Sequence, residues 1–208
     1  SYKNKDRELI DWYRRQIAQS GIEVHLNTEV RNVASLSADE IIISTGASPK
    51  RPPIPGVEHA MDATDFLSGA PTGQRVVIVG GGLTGCEIAY DLILKGKTPI
   101  VVEMQQDLIV GRGICLANSS FLRETLALHK TPVYLQTQVR QIRPDGVTLC
   151  DKSQKTFDVP CDTVILCTGY TPSPLAAQGR RVHIVGDAKR VGNLRTVIWR
   201  AWDVCMKL

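Results

Sequence analysis

None of the six cysteines forms a C-x-x-C pair with another. That absence argues against a dithiol redox centre, a zinc site and a complete iron–sulfur site within this sequence. Aromatic residues make up only 5% of the chain, and its lysines and arginines are scattered, giving a net charge of +4. There is thus no basic face interleaved with stacking rings, and no nucleic-acid partner is expected. No apolar run is long enough to span a bilayer, and no signal-peptide pattern occurs, so no membrane partner is expected either. Cys86, Cys161 and Cys167 sit in apolar surroundings and read as buried free thiols of a reducing, cytoplasmic protein.

What is present suffices for a core: 208 residues, of which 43% are hydrophobic. The segment 6–20 places Leu9, Ile10, Trp12, Tyr13 and Ile17 on one helical face, and Gly21 ends it. "IEVHLNTEV" alternates and predicts a strand. "EIIIS" is a β-branched run, expected of a strand covered on both faces. "GASPKRPPIPG" is a connector stiffened by proline. From Arg75 the order is strand ("RVVIVG"), glycine turn and helix ("GGLTGCEIAYDLILKG") and strand ("TPIVVE"). A helix capped at Asn118 or Ser119 follows, then three short strands, "TVILCTG" and "RVHIVGDA". The closing helix carries Leu194, Val197, Ile198, Ala201, Cys205 and Leu208 along one stripe. The fold class is α/β: a Rossmann-like three-layer unit with a parallel sheet and an antiparallel meander.

The chain repeats itself. "WYRRQIAQSGIEVHLNTEVRNV" lies over "FLRETLALHKTPVYLQTQVRQI" at an offset of 109 residues, pairing Trp12 with Phe121 and Arg31 with Arg140. By Thr45 and Thr168 the offset is 123, as the extra strands of 146–159 require. A tandem repeat of one supersecondary unit accounts for both. The second copy opens at Arg75, so the first would open about 34 residues before Ser1. The expectation is therefore a piece of a longer polypeptide that begins inside its first nucleotide-binding domain.

Gly80-Gly81-Gly82-Leu83-Thr84-Gly85 fits G-x-G-x-x-G between a strand and a helix, and Glu103 follows Gly85 by 18 residues at the end of the next strand. Gly80 makes the turn, Gly82 admits a pyrophosphate to the backbone, and Gly85 lets helix and strand pack closely. The helix N-terminus adds free N–H groups and a positive dipole end. Glu103 would accept from ribose hydroxyls and repel a 2′-phosphate, and Met104-Gln105-Gln106 offers no arginine, so NAD(H) is favoured over NADP(H). In "VHIVGDA", Gly186 permits close approach and Asp187 could accept from a polyol, with the helix from Asn193 aimed at the same place.

Taken in order, "IIISTGASPKRPPIPG", "VVIVGGGLTGCEIA", "TVILCTGYTPSP" and "VHIVGDA" resemble the flavoprotein reductases with two dinucleotide-binding domains. "LIDWYRRQIAQSGIEVHLNTEV" and "VGDAKRVGNLRTVIWRAWDVCMKL" are similar to the C-terminal part of NADH:flavin oxidoreductases related to Old Yellow Enzyme. That group includes 2,4-dienoyl-CoA reductase, enoate reductases and trimethylamine dehydrogenase. The resemblance implies an NAD(H) domain at 75–171 and the remainder of an FAD domain at 1–74 and 172–208. It places Thr45 and Gly46, and again Thr168 and Gly169, at the crossings between domains, and Gly186 and Asp187 on the flavin ribitol. It implies a partner barrel on the same polypeptide, N-terminal to this region, holding FMN and adjoining an iron–sulfur cluster, with hydride passing from NADH to FAD. An activated alkene such as an enoate or a dienoyl-CoA would be reduced there. No residue matches a catalytic acid or base of the family. The other reading is a nucleotide-holding module without turnover, as trimethylamine dehydrogenase suggests.

Overall fold

The computed structural model describes residues 3–111, 113–177, 179 and 181–208. The elements in chain order are α1 (Asn4–Gln19), β1 (Ile41–Ile43), β2 (Ala47–Pro49), β3 (Met61–Asp62), α2 (Ala63–Leu67), β4 (Arg75–Val79) and α3 (Leu83–Leu94). They continue with β5 (Thr98–Val102), α4 (Leu116–Leu128), β6 (Val133–Tyr134), β7 (Gln138–Arg143), β8 (Gly146–Cys150), β9 (Thr156–Pro160) and β10 (Thr163–Leu166). The last are β11 (Tyr170–Pro172), β12 (Val182–Ile184), α5 (Gly186–Lys189) and α6 (Leu194–Cys205). Among the described residues no helix is long and apolar enough to cross a membrane.

The central sheet runs β3-β10-β4-β5-β6, all parallel. Strand side chains alternate faces. Val76, Ile78, Val101 and Ile165 accordingly pack with Phe66, Ile88, Leu92, Leu122 and Leu126 of the helices. Val77, Val79, Ile100, Val102, Val164 and Leu166 face the antiparallel meander β7-β8-β9, meeting Ile142, Val147 and Leu149. Strands buried on both faces read as continuous apolar runs, and β4 and β5 do. Three layers result: helices, parallel sheet, meander.

Helix ends follow local chemistry. After α3, Gly96 takes φ 70°, Gly96 N donates to Ile93 O, and Lys97 N donates to Leu92 O, the paired bonds of a Schellman cap. After α4 the same bonds run from Lys130 to Ala127 and from Thr131 to Leu126, with Lys130 at φ 52°. The expected cap at Asn118 or Ser119 is not observed. α4 begins two residues earlier than Asn118, at Leu116, and Ser119 lies inside it, donating Oγ to Leu116 O at 3.0 Å. A serine one turn in bonds back to its own helix instead of capping it.

Outside the three layers the sequence pattern overstates order. Residues 22–30 form no strand, because no strand among the described residues runs beside them. β1 pairs with β12 alone, and Ile42 is 42% exposed, so it is not covered on both faces. α1 and α6 bury none of their residues, although their apolar stripes are those read from the sequence. Asn193 does cap α6, its side chain accepting from Thr196 N.

The repeat is visible in the folded chain. Thr28 Oγ1 donates to Leu26 O at 3.1 Å, and 109 positions later Thr137 Oγ1 donates to Leu135 O at 2.8 Å. Asn27 and Gln136, inside these turns, share the left-handed region at φ 54° and 51°. Trp12 and Phe121 occupy matching places on α1 and α4, each about half exposed and each edge-on to a tyrosine. Where the copies join, β2 pairs antiparallel with its own counterpart β11, Ser48 opposite Thr171. Thr45 Oγ1 donates to Ser173 O at 2.7 Å, and Thr168 Oγ1 donates to Lys50 O at 2.6 Å. The ribbon is thus a pseudo-two-fold: each Thr-Gly closing caps the strand leaving the other.

Candidate functional site

β4, β5 and β10 end at the same edge of the central sheet. Ligands of open parallel sheets bind at such carboxyl ends. A cavity of about 600 Å³ opens there. It is bounded by Val79, Gly80 and Gly82 after β4, by Val102 to Gln105 after β5, and by Cys167 and Thr168 after β10. Thr137–Arg140 of the meander and Pro52–Pro55 of the connector complete its wall.

The glycine turn is built as its spacing suggests. Gly80 has φ 109°, and a Cβ there would stand 2.4 Å from Cys167 O. A Cβ on Gly85 would stand 2.0 Å from Gly80 O, so only glycine lets α3 sit so close beneath the turn. A Cβ on Gly82 would meet no atom within 4 Å and would project into open space. A cradle of this shape fits a pyrophosphate: the backbone is bare at Gly82, and the first amides of α3 have no acceptor within the helix.

Glu103 holds this turn together. Its Oε2 accepts from Gly81 N at 2.6 Å and its Oε1 accepts from Gln105 N at 2.8 Å. Each carboxylate oxygen keeps room for a further donor such as a ribose hydroxyl. Leu108 and Glu103 crowd Gly81, which therefore lies behind the cavity wall. Met104 lines the cavity and is 63% exposed.

A second cavity of about 330 Å³ shares Gly82 and Cys167 with the first. It brings Leu83, Thr84, Gly169 and Asp187 together with Tyr170, Ala63 and Gly192. Asp187 Oδ1 accepts from Gly192 N at 2.9 Å. Thr45, Gly46 and Gly186 line neither cavity. The first two belong to the ribbon, and Gly186 (φ 60°) begins α5 against Val197. Thr168 lines the first cavity while its hydroxyl is held by Lys50 O.

Two thiols border the turn. Burial pushes Cys86 up to about 12, partly offset by the Arg123 guanidinium, and its Sγ donates to Gly81 O. Burial likewise pushes Cys167 up to about 12. Both are protonated at neutral pH, hence poor nucleophiles. Burial also raises the Tyr170 phenol in the second cavity. Among the described residues no group of three or more His, Cys, Asp and Glu could hold a metal ion.

Sequence reasoning missed the cavity's connector wall and Arg140. The connector gave no hint that it folds back on the meander, where Ile142 N donates to Pro55 O at 2.8 Å. Arg140 had only its recurrence, opposite Arg31, to mark it.

This framework, a parallel sheet with a glycine turn and a strand-end acid, is that of a nucleotide-binding oxidoreductase, and comparison with known proteins places the chain more narrowly. Residues 32–196 match the pyridine nucleotide-disulphide oxidoreductase family, and the chain belongs to that family. It is 31% identical to a cinnamate reductase of Clostridium sporogenes, covering 100% of this chain and 32% of that protein. It is 28% identical to an NADH oxidase of Thermoanaerobacter brockii, covering 99% of this chain and 34% of the relative. A solved 2-naphthoyl-CoA reductase superposes with a TM-score of 0.87 at 24% identity, over 97% of this chain and 32% of that one. The chain spans about a third of the length of the curated relatives it matches. The resemblance to the Old Yellow Enzyme-related flavoproteins read from the sequence holds.

Proposed function

We propose that residues 75–171 form an NADH-binding domain, and that residues 1–74 and 172–208 belong to an FAD-binding domain completed by residues outside this chain. The observation that carries this reading is the junction of the two cavities at Gly82 and Cys167. A dinucleotide with its pyrophosphate over Gly82 and its adenosine ribose at Glu103 would extend its nicotinamide towards Gly169, Tyr170 and Asp187. Asp187 would accept from a flavin ribitol there, which would bring the two ring systems together. When both are bound, they supply hydride transfer; the chain orients them and excludes water, and no side chain here is assigned as acid or base. For FAD the described residues supply only this ribitol side, since no second glycine turn of this kind occurs among them.

The parent enzyme would pass these electrons to FMN and an iron–sulfur cluster in a barrel domain, and reduce an activated alkene, as the name of the cinnamate reductase suggests. The apolar faces of α1 and α6 would be covered by the rest of the first unit.

Glu103 provides the test. Glu103→Ala should weaken NADH binding by about ten-fold and narrow the preference over NADPH, because the carboxylate that repels a 2′-phosphate is gone. Titration of both nucleotides against wild type and variant measures this. Unchanged discrimination would remove Glu103 from the site.

A further inference from the structure

The larger cavity is lined by one acidic and one basic side chain, Glu103 and Arg140. Each Glu103 oxygen already accepts from a backbone N–H. Arg140 is different. The structure gives it no carboxylate partner among the described residues, and its contact is Nη2 to Cys150 Sγ at 3.9 Å, a weak acceptor. Arg140 thus lines the cavity, and most of its guanidinium donors are without a partner among the described residues.

The backbone puts it there by a deviation. β7 pairs with β8 as Gln138 to Cys150 and Val139 to Leu149, then resumes as Gln141 to Thr148. Arg140 is the extra residue of a β-bulge. Bulges re-aim one side chain out of the ladder's alternation and concentrate beside binding sites. Just beyond, Ile142 N holds Pro55 O, and a Cβ on Gly56 would stand 1.8 Å from Ile142 O. The bulge and the proline connector are thus fixed to the same short strand. The connector contributes Pro53 and Ile54 to the cavity, flat apolar surface with little freedom to move.

The position along the dinucleotide follows from the sheet. Thr137 N donates to Glu103 O at 3.0 Å and Gln136 N donates to Gln105 O at 2.9 Å, so the start of β7 lies beside the residues that follow β5. Arg140 is three residues along from Thr137. It lines the wall that β7 forms beside Glu103, where the adenosine end of a dinucleotide seated on Gly82 would lie.

We propose that Arg140 is a specificity-determining residue of this cavity, its guanidinium stacking on the adenine ring of the bound nucleotide over the floor made by Pro53 and Ile54. This rests on the reading of the cavity as an NADH site. Stacking fits better than phosphate recognition, because a 2′-phosphate in reach of Arg140 would also meet the Glu103 carboxylate. A guanidinium plane stacks on aromatic faces where a lysine ammonium does not.

The test titrates the chain with NADH, NADPH, ADP-ribose and nicotinamide mononucleotide by calorimetry, with Arg140→Ala, Arg140→Lys and Arg140→Tyr alongside wild type. Arg140→Ala should weaken NADH and ADP-ribose equally, by about ten-fold, and leave the mononucleotide unchanged. Arg140→Tyr should recover most of the loss and Arg140→Lys little of it. Equal NADH affinity in wild type and Arg140→Ala overturns the proposal, as does a loss confined to NADPH, or full rescue by Arg140→Lys, which would mean charge rather than a stack. A wild-type chain that binds neither NADH nor ADP-ribose overturns the underlying site reading, and this inference with it.

Discussion

Residues 12–33 and 121–142 carry one pattern twice, and only the second copy becomes a complete structure. In the second, α4 is followed by β6, which pairs with β5 and is flanked by bonds from Val101 N to Pro132 O and from Glu103 N to Tyr134 O. In the first, α1 is followed by the same threonine turn, with the same φ at its centre, but by no strand. The turn is local chemistry, a hydroxyl closing on a carbonyl two residues back, and it forms in either setting. The strand is not local, since its backbone groups need a neighbour. The difference shows which part of a repeated sequence is self-sufficient.

The same contrast should govern stability, and the largest effects should come from truncating the shared core of the second unit. Leu149→Ala, at a fully buried position between sheet and meander, should cost about 2–5 kcal/mol in denaturant unfolding. Ile198→Ala, on the 45% exposed face of α6, should stay within about 0.5 kcal/mol. Similar losses at both positions would mean that α6 is packed as tightly as the sheet.

A smaller effect comes with pH. Cys86 and Cys167 both lie in the second unit, and both keep their protons in the fold up to about 12, against an ordinary thiol value of 9.0. The folded state therefore binds more protons than the unfolded chain between these values. The stabilisation is fully present below pH 9 and is lost as pH rises towards 12, with a slope approaching about 1.4 kcal/mol per pH unit for each thiol. Unfolding at pH 8 and pH 10 should show the fall, and Cys86→Ala should reduce it.

The smallest expected effect exchanges one residue between the copies. Gly21 and Lys130 stand at matching positions just past α1 and α4, both in the left-handed region. A side chain is disfavoured there and glycine is not. Lys130→Gly should raise stability by about 1 kcal/mol, and thermal unfolding of the variant measures it. No gain would show that Lys130 makes compensating contacts.

What the sequence could reveal followed the same division. Gly80, Gly82, Gly85 and Glu103 were legible because their roles depend on a turn, a close approach and a strand end within 24 residues of one another. The three-layer order was legible because β4, β5 and β10 are apolar on both faces. The ribbon of β2 with β11 was not, since it joins Thr45 to Ser173 across most of the chain. Arg140 was not, because a bulge depends on the register of a partner strand. The apolar stripes of α1 and α6 were legible as stripes, while what covers them was not, because periodicity shows that a face is apolar and says nothing of its neighbour.

On the proposed reading, the second of the two repeated units binds a dinucleotide by itself and the first does not. Titrating the purified chain with NADH and with FAD, following stoichiometry by calorimetry and the flavin spectrum, tests it most directly. One NADH per chain, weakened by Glu103→Ala, and no stoichiometric flavin are expected. A chain that carries a full equivalent of flavin, or takes up no NADH, would contradict it.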